Sequence, residues 1–78
     1  MNKKNKTALG IYVKNKRKLL HITQLELSQK AGVGLRFVRD LEQGKTTLRI
    51  DKVNDVLILF GNELGPILIN RDKLINNE

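Results

Sequence analysis

Residues 23–44, Thr-Gln-Leu-Glu-Leu-Ser-Gln-Lys-Ala-Gly-Val-Gly-Leu-Arg-Phe-Val-Arg-Asp-Leu-Glu-Gln-Gly, decide the fold. Leu27 and Ala31 lie four apart, on one face of a first short helix, and Val38 and Leu41 lie three apart on a second. Both stripes point inward. Gly32 falls where the chain must reverse within very few residues, in a left-handed backbone conformation that glycine adopts without steric cost, and Val33 returns to the core. Thr23 supplies a hydroxyl for the N-cap of the first helix, and Glu26 three residues later completes the spacing of a capping box. On the second helix Arg36 and Arg39 stand outside the apolar stripe.

Two short helices joined by a tight turn, the second carrying arginines outward, make a helix-turn-helix, the arrangement that sets a recognition helix in the major groove of DNA. The planar guanidinium fork matches the O6 and N7 acceptors of guanine, and forks at i and i+3 suit neighbouring base pairs. Asp40 follows Arg36 by four residues and Arg39 by one. It either orients a guanidinium, accepts a bond from cytosine, or forms an intrahelical salt bridge with no base contact. Leu35, at the entry of this helix, suits a thymine methyl, while Phe37 beside Val38 reads as a packing residue.

The 78 residues hold one domain. A domain near this size buries only about 60% of its unfolded surface, so modest stability is expected, to which dimerisation would add. The absence of cysteine excludes disulfides and thiolate metal sites and suits a reducing compartment. No stretch approaches a membrane span or the apolar core of a signal peptide, so a cytoplasmic protein with no membrane partner is expected. Catalysis is disfavoured by the inventory: one His, and one Ser, Ser28, with no base at useful spacing. Gly32-Val33-Gly34 is too short for a dinucleotide fingerprint. No metal or other cofactor is expected.

The net charge is +7, and its placement matters more than its size. Residues 1–18 contain Lys3, Lys4, Lys6, Lys14, Lys16, Arg17 and Lys18 and no acid, whereas basic and acidic residues balance over the remainder. A basic arm leading into a basic helix suits phosphate contact, with Lys14 and Lys18 as the helical candidates; the plainer alternative is a solvated tail.

Along the chain, residues 1–6 read as a disordered basic arm and residues 7–61 as the helix-turn-helix domain. Its first helix spans about Thr7 to Leu20, with Leu9, Val13, Arg17 and Leu20 on the core stripe. His21, before Ile22-Thr23, reads as a turn residue. Gly44 marks the end of the recognition helix, followed by a loop from which Lys45 can meet a phosphate. A fourth helix runs from Ile50 or Asp51 to Phe60, with Val53, Val56, Leu57 and Phe60 inward and Gly61 as its stop. Ile58 and Leu59 lie off that stripe, so something else must cover them. Residues 62–70, with Leu64, Ile67, Leu68 and Ile69, favour an extended strand that has no partner in the chain. Pairing with its own copy across a twofold axis is the simplest solution, and packing on its own domain is the alternative. The expected fold is all-α, four helices plus one C-terminal β-strand pairing across a dimer, with residues 71–78 a polar tail.

From Leu9 to Phe60 the chain resembles the lambda-repressor-like helix-turn-helix family, the Xre or Cro/C1-type regulators. Gly-Val-Gly-Leu-Arg-Phe-Val-Arg-Asp-Leu-Glu-Gln-Gly-Lys (32–45), Leu-Arg-Ile-Asp-Lys-Val (48–53) and Phe-Gly-Asn-Glu-Leu-Gly (60–65) resemble the HipB-like antitoxins within it. That resemblance implies a dimeric repressor of its own operon on a palindromic operator, a C-terminal strand paired across the dimer, and a HipA-type kinase toxin as partner. It implies that Gln24 contacts a phosphate or an outer base. Leu35, Arg36, Arg39 and Asp40 take the groove-facing positions, with Gly34 at the entry of the recognition helix. Arg17 and Glu42 match a largely buried ion pair of the family, a structural role. The sequence departs from the family at Gly34, which offers no side-chain cap where many relatives have Ser or Thr. It departs again at Arg49, which enters the fourth helix in place of a small hydroxyl residue, and at His21, where glycine is frequent. A regulator of the same type with no toxin partner remains the alternative.

Overall fold

The computed structural model describes residues 6–69 and contains α1 (Ala8–Leu19), α2 (Gln24–Ala31), α3 (Leu35–Gln43) and α4 (Ile50–Ile58). Residues 1–5 of the expected arm, residue 70 of the expected strand and the tail at 71–78 lie outside the described residues. α3 packs against both α1 and α2, and α4 packs against α2. Val13, Leu27, Val33, Val38, Leu41, Val53, Val56 and Leu57 form the buried core, with Leu9, Ile22, Ala31, Phe37, Leu48 and Phe60 packed around it. None of the helices is long and apolar enough to cross a membrane.

The helix starts follow local chemistry. Thr7 Oγ1 accepts the Gly10 N–H at 2.9 Å, capping α1. At α2 the Thr23 hydroxyl accepts the Glu26 N–H at 3.0 Å while the Thr23 N–H donates to Glu26 Oε1 at 2.7 Å, a complete capping box. Gly34 and Arg49 begin α3 and α4 with no side-chain cap.

The helix ends share one device, a residue in the left-handed region with backbone N–H groups folded back onto the last carbonyls. Gly32, Gly44 and Gly61 hold that position after α2, α3 and α4. After α3 the Lys45 N–H donates to the Asp40 carbonyl at 3.0 Å; after α4 the Asn62 N–H donates to Leu57 at 2.9 Å. After α1 the same position is held by His21 at φ 59°, with the Ile22 N–H donating to the Arg17 carbonyl at 3.3 Å. A non-glycine residue there brings its Cβ against the following carbonyl, so His21 stores strain that glycine would not.

Three expectations are corrected. Leu20 is 56% exposed and is no core residue, because α1 stops at Leu19 and Leu20 lies in the turn that leads into His21. The inward place on α1 belongs to Gly10, which is buried: a methyl group there would stand 2.5 Å from the Leu41 carbonyl oxygen and 3.1 Å from that of Glu42. α4 ends at Ile58 rather than Phe60, although Phe60 still packs on the core from the closing turn. Among the described residues there is no β-strand; residues 62–69 run irregular and exposed, because an extended segment without a neighbour has no ladder to form. Two side-chain bonds hold the start of this segment, Tyr12 Oη to Asn62 Oδ1 at 2.6 Å and the Leu64 N–H to Asn54 Oδ1 at 2.8 Å.

An ion pair fastens α1 to α3. Arg17 Nε donates to Glu42 Oε2 at 2.7 Å and its Nη2 to Oε1 at 3.0 Å, while Nη1 donates to the Ile22 carbonyl at 3.0 Å. The side chains are only 11% and 3% exposed. The hydrogen bond to Glu42 outweighs burial and raises the Arg17 pKa, so the guanidinium stays charged. Such a pair fixes geometry more than it adds stability, because desolvation offsets the attraction, whereas losing one partner strands a buried charge.

Three outcomes in urea denaturation follow. Gly10→Ala forces α1 away from the end of α3 and should cost about 1–3 kcal/mol, the range for overpacked interiors. His21→Gly should stabilise by about 1 kcal/mol by removing left-handed strain. Glu42→Leu should cost about 3–5 kcal/mol and Arg17→Met/Glu42→Leu together far less, since the second change removes the stranded charge; equal losses for the single and double variants would refute that account.

Candidate nucleic-acid interface

The face of α3 turned from the core carries the groove-facing candidates. Val38, Leu41 and Glu42 are buried on one side, which leaves Arg36 and Arg39 exposed on the other, Arg36 with 87% of its side chain accessible. Gly34 is exposed at the entry and Leu35 is half-buried just after it. Gly34 adopts an extended backbone before the helix, so its uncapped first turn presents backbone N–H groups.

Asp40 lies between two cations. Its Oδ1 is 3.9 Å from Arg36 Nε and its Oδ2 is 3.6 Å from Lys45 Nζ. In this geometry Asp40 makes a salt bridge to both neighbours at once. Both separations exceed hydrogen-bond length, and ion pairs this exposed contribute about 0–1 kcal/mol, so either cation can exchange the carboxylate for a nucleic-acid acceptor at small cost. Lys45 is placed there by the closure of α3, since its own N–H is bonded to the Asp40 carbonyl.

Gln24, the first residue of α2, is half-buried, and its Nε2 donates to Glu42 Oε1 at 3.0 Å. The buried carboxylate therefore joins three elements, α1 through Arg17, α2 through Gln24 and its own α3. On α1, Lys14 is half-buried and Lys18 is exposed, the latter lining a shallow hollow with Asn15, Leu19 and His21. Lys16 lies with Nζ 5.6 Å from the centre of the Tyr12 ring. At the start of α4, Arg49 Nη2 donates to Asp51 Oδ2 at 2.7 Å, which holds the Asp51 carboxyl below the usual carboxylate range. Its small contribution to stability is thus present at neutral pH and is lost as the pH falls through that lowered value.

The structure brings the sequence candidates into two clusters, Arg36 with Asp40 and Lys45, and Arg17 with Glu42 and Gln24. Ile58, Leu64, Ile67, Leu68 and Ile69 are all exposed, Leu68 almost completely. Gly10, Asn54, Asn62 and the bond from Gln24 to Glu42 went unread in the sequence. A glycine within a helical stripe is a signal of close packing, and it was present at Gly10. No local pattern marks Asn54, Asn62 or the Gln24 bond, because each joins residues on different elements. Among the described residues no group of three His, Asp or Glu side chains is placed to hold a metal ion.

The profile of the helix-turn-helix family matches residues 13–66, the stretch that holds the last turns of α1 and all of α2, α3 and α4. The chain is also similar to an uncharacterized HTH-type transcriptional regulator, y4mF, of Sinorhizobium fredii (strain NBRC 101917 / NGR234). The two are 49% identical over 53 residues, which cover 68% of this chain and 70% of the relative. With the matched residues being those that build and orient α3, the chain belongs to the helix-turn-helix family of the Xre, lambda-repressor-like type.

Proposed function

We propose that this protein is a transcriptional repressor that binds double-stranded DNA in a sequence-specific way through α3. The observation that carries the reading is the placement of Arg36 and Arg39 on the open face of a helix whose other face is locked into the core. In the complex, Arg36 and Arg39 fork onto guanine edges, Leu35 meets a thymine methyl, and Asp40 aligns Arg36 or accepts from cytosine. Phosphates meet Lys45, Gln24, the backbone at Gly34, and Lys14 and Lys18 of α1. The relative's description as a transcriptional regulator agrees with this. The chemistry is binding alone, with no catalysis, metal or cofactor, and it takes place where the DNA is, in the cytoplasm.

The same reading makes the protein a homodimer on a palindromic operator. Ile58, Leu64, Ile67, Leu68 and Ile69 are exposed apolar side chains, and a second copy of residues 62–70 would cover them and supply a strand partner. Two recognition helices then meet half-sites one turn apart, about 34 to 36 Å. The resemblance of residues 32–45, 48–53 and 60–65 to HipB-like antitoxins carries the proposal to its finest form: the repressor controls its own operon and also binds a HipA-type kinase toxin.

The test is binding of the purified protein, over a salt series and with stoichiometry recorded, to the DNA upstream of its own coding sequence and to a shuffled duplex. Two chains per upstream site, with much weaker binding to the shuffled duplex, is the expected result. Arg36→Ala should cost about 1–3 kcal/mol on the specific site and relax preference at one base position. Equal loss on both duplexes would remove Arg36 from base reading.

A further inference from the structure

Glu42 is more than the acid of a structural ion pair. We infer that it is a positioning residue for DNA binding, which fixes the Gln24 amide at the interface through the buried bond that the two side chains share. The inference rests on the DNA-binding reading above and assigns a role in it to a residue that touches no DNA.

The chemistry of the pair dictates the orientation. A carboxylate only accepts hydrogen bonds, whereas a glutamine amide has a two-proton donor at one end and an acceptor at the other. With Glu42 3% exposed and its charge satisfied by Arg17, only the nitrogen end of Gln24 can face it. The oxygen end would set two acceptors together. One Nε2–H is spent on Glu42, which leaves the other N–H and Oε1 of the half-buried Gln24 free for a further partner, with the amide plane fixed.

That amide belongs to the first residue of α2, a helix that in this motif crosses the DNA backbone. The remaining N–H suits a phosphate oxygen. Glu42 is itself held on both oxygens by a guanidinium that also binds the Ile22 carbonyl, so it has little freedom to follow Gln24 outward. An exposed glutamine loses side-chain entropy when it is pinned on DNA; here folding has already removed that freedom, so less is lost on binding.

A purely structural Glu42 and a positioning Glu42 differ in one respect. Replacing the ion pair by Arg17→Met/Glu42→Leu leaves the net charge unchanged and strands no buried charge, yet removes the acceptor that orients Gln24. The experiment measures binding to a duplex recovered by the wild-type protein from a random-sequence pool. The proteins compared are wild type, Gln24→Ala, Arg17→Met/Glu42→Leu and the triple variant, each confirmed folded by circular dichroism.

Gln24→Ala should weaken binding about tenfold, the scale of one hydrogen bond to a charged acceptor. The folded pair swap should lose nearly as much, and the triple variant should lose no more than Gln24→Ala alone. The salt dependence should stay unchanged throughout, because no phosphate-neutralising cation has been removed. Wild-type affinity in the folded swap, or independent losses that multiply in the triple variant, would overturn the inference and leave the DNA-binding reading intact. Failure of the wild-type protein to recover any duplex would instead defeat the reading itself. If the swap does not fold, Glu42→Leu, which removes the acceptor outright, carries the same comparison against Gln24→Ala/Glu42→Leu at temperatures where circular dichroism shows both folded, with the same two outcomes deciding.

Discussion

The carboxylate of Glu42 is the constraint on which the rest of the domain depends. It lies 3% exposed at the meeting of α1, α2 and α3 and accepts from Arg17 and Gln24, so three helices must be in register before its charge is satisfied. A buried carboxylate without partners is costly enough to exclude alternative packings, which is how a polar group specifies a fold without adding much to its stability. Gly10 makes the register possible. It lets α1 approach the carbonyls of Leu41 and Glu42 at the end of α3, closer than any side chain would permit.

What this lock positions is the opposite face of the same helix. α3 divides sharply, with Val38, Leu41 and Glu42 buried and Arg36 and Arg39 outside, so fixing the inner face aims the outer one. The outer charges are held loosely. Asp40 lies at 3.6 Å from Lys45 and 3.9 Å from Arg36, distances at which water or a nucleic-acid oxygen competes on even terms. The candidate interface therefore sets loosely paired cations on a helix whose inner face is packed in the core, which suits a surface that would trade its internal partners for a ligand's.

The ends of the domain show a different economy. All four helices close by folding N–H groups onto their last carbonyls, three through glycine and one through His21, so the turns are sharp and the connections short. Beyond α4 the device changes. Asn54 and Asn62 tie the chain down by side-chain bonds as far as Leu64, after which Ile67, Leu68 and Ile69 project into solvent. Apolar side chains left this exposed are unusual on a finished surface.

The four helices, the turn at Gly32, the cap at Thr23 and the outward arginines were legible from residue order alone, since each depends on residues within one or two helical turns of each other. The apolar spacing placed Val13, Leu27, Val38, Leu41, Val53, Val56 and Leu57 inward by the same short-range logic. It misplaced Leu20, because a periodic stripe does not register that the helix has already ended. The pairing of Arg17 with Glu42 was reached only through resemblance, as 25 residues separate the two and no local pattern links them. That Gly10 is a contact surface and that Gln24 is anchored from within emerged only once the helices were packed together. Each of these depends on the distance between separate elements, which is set by how side chains fill the space between helices and not by the order in which they occur.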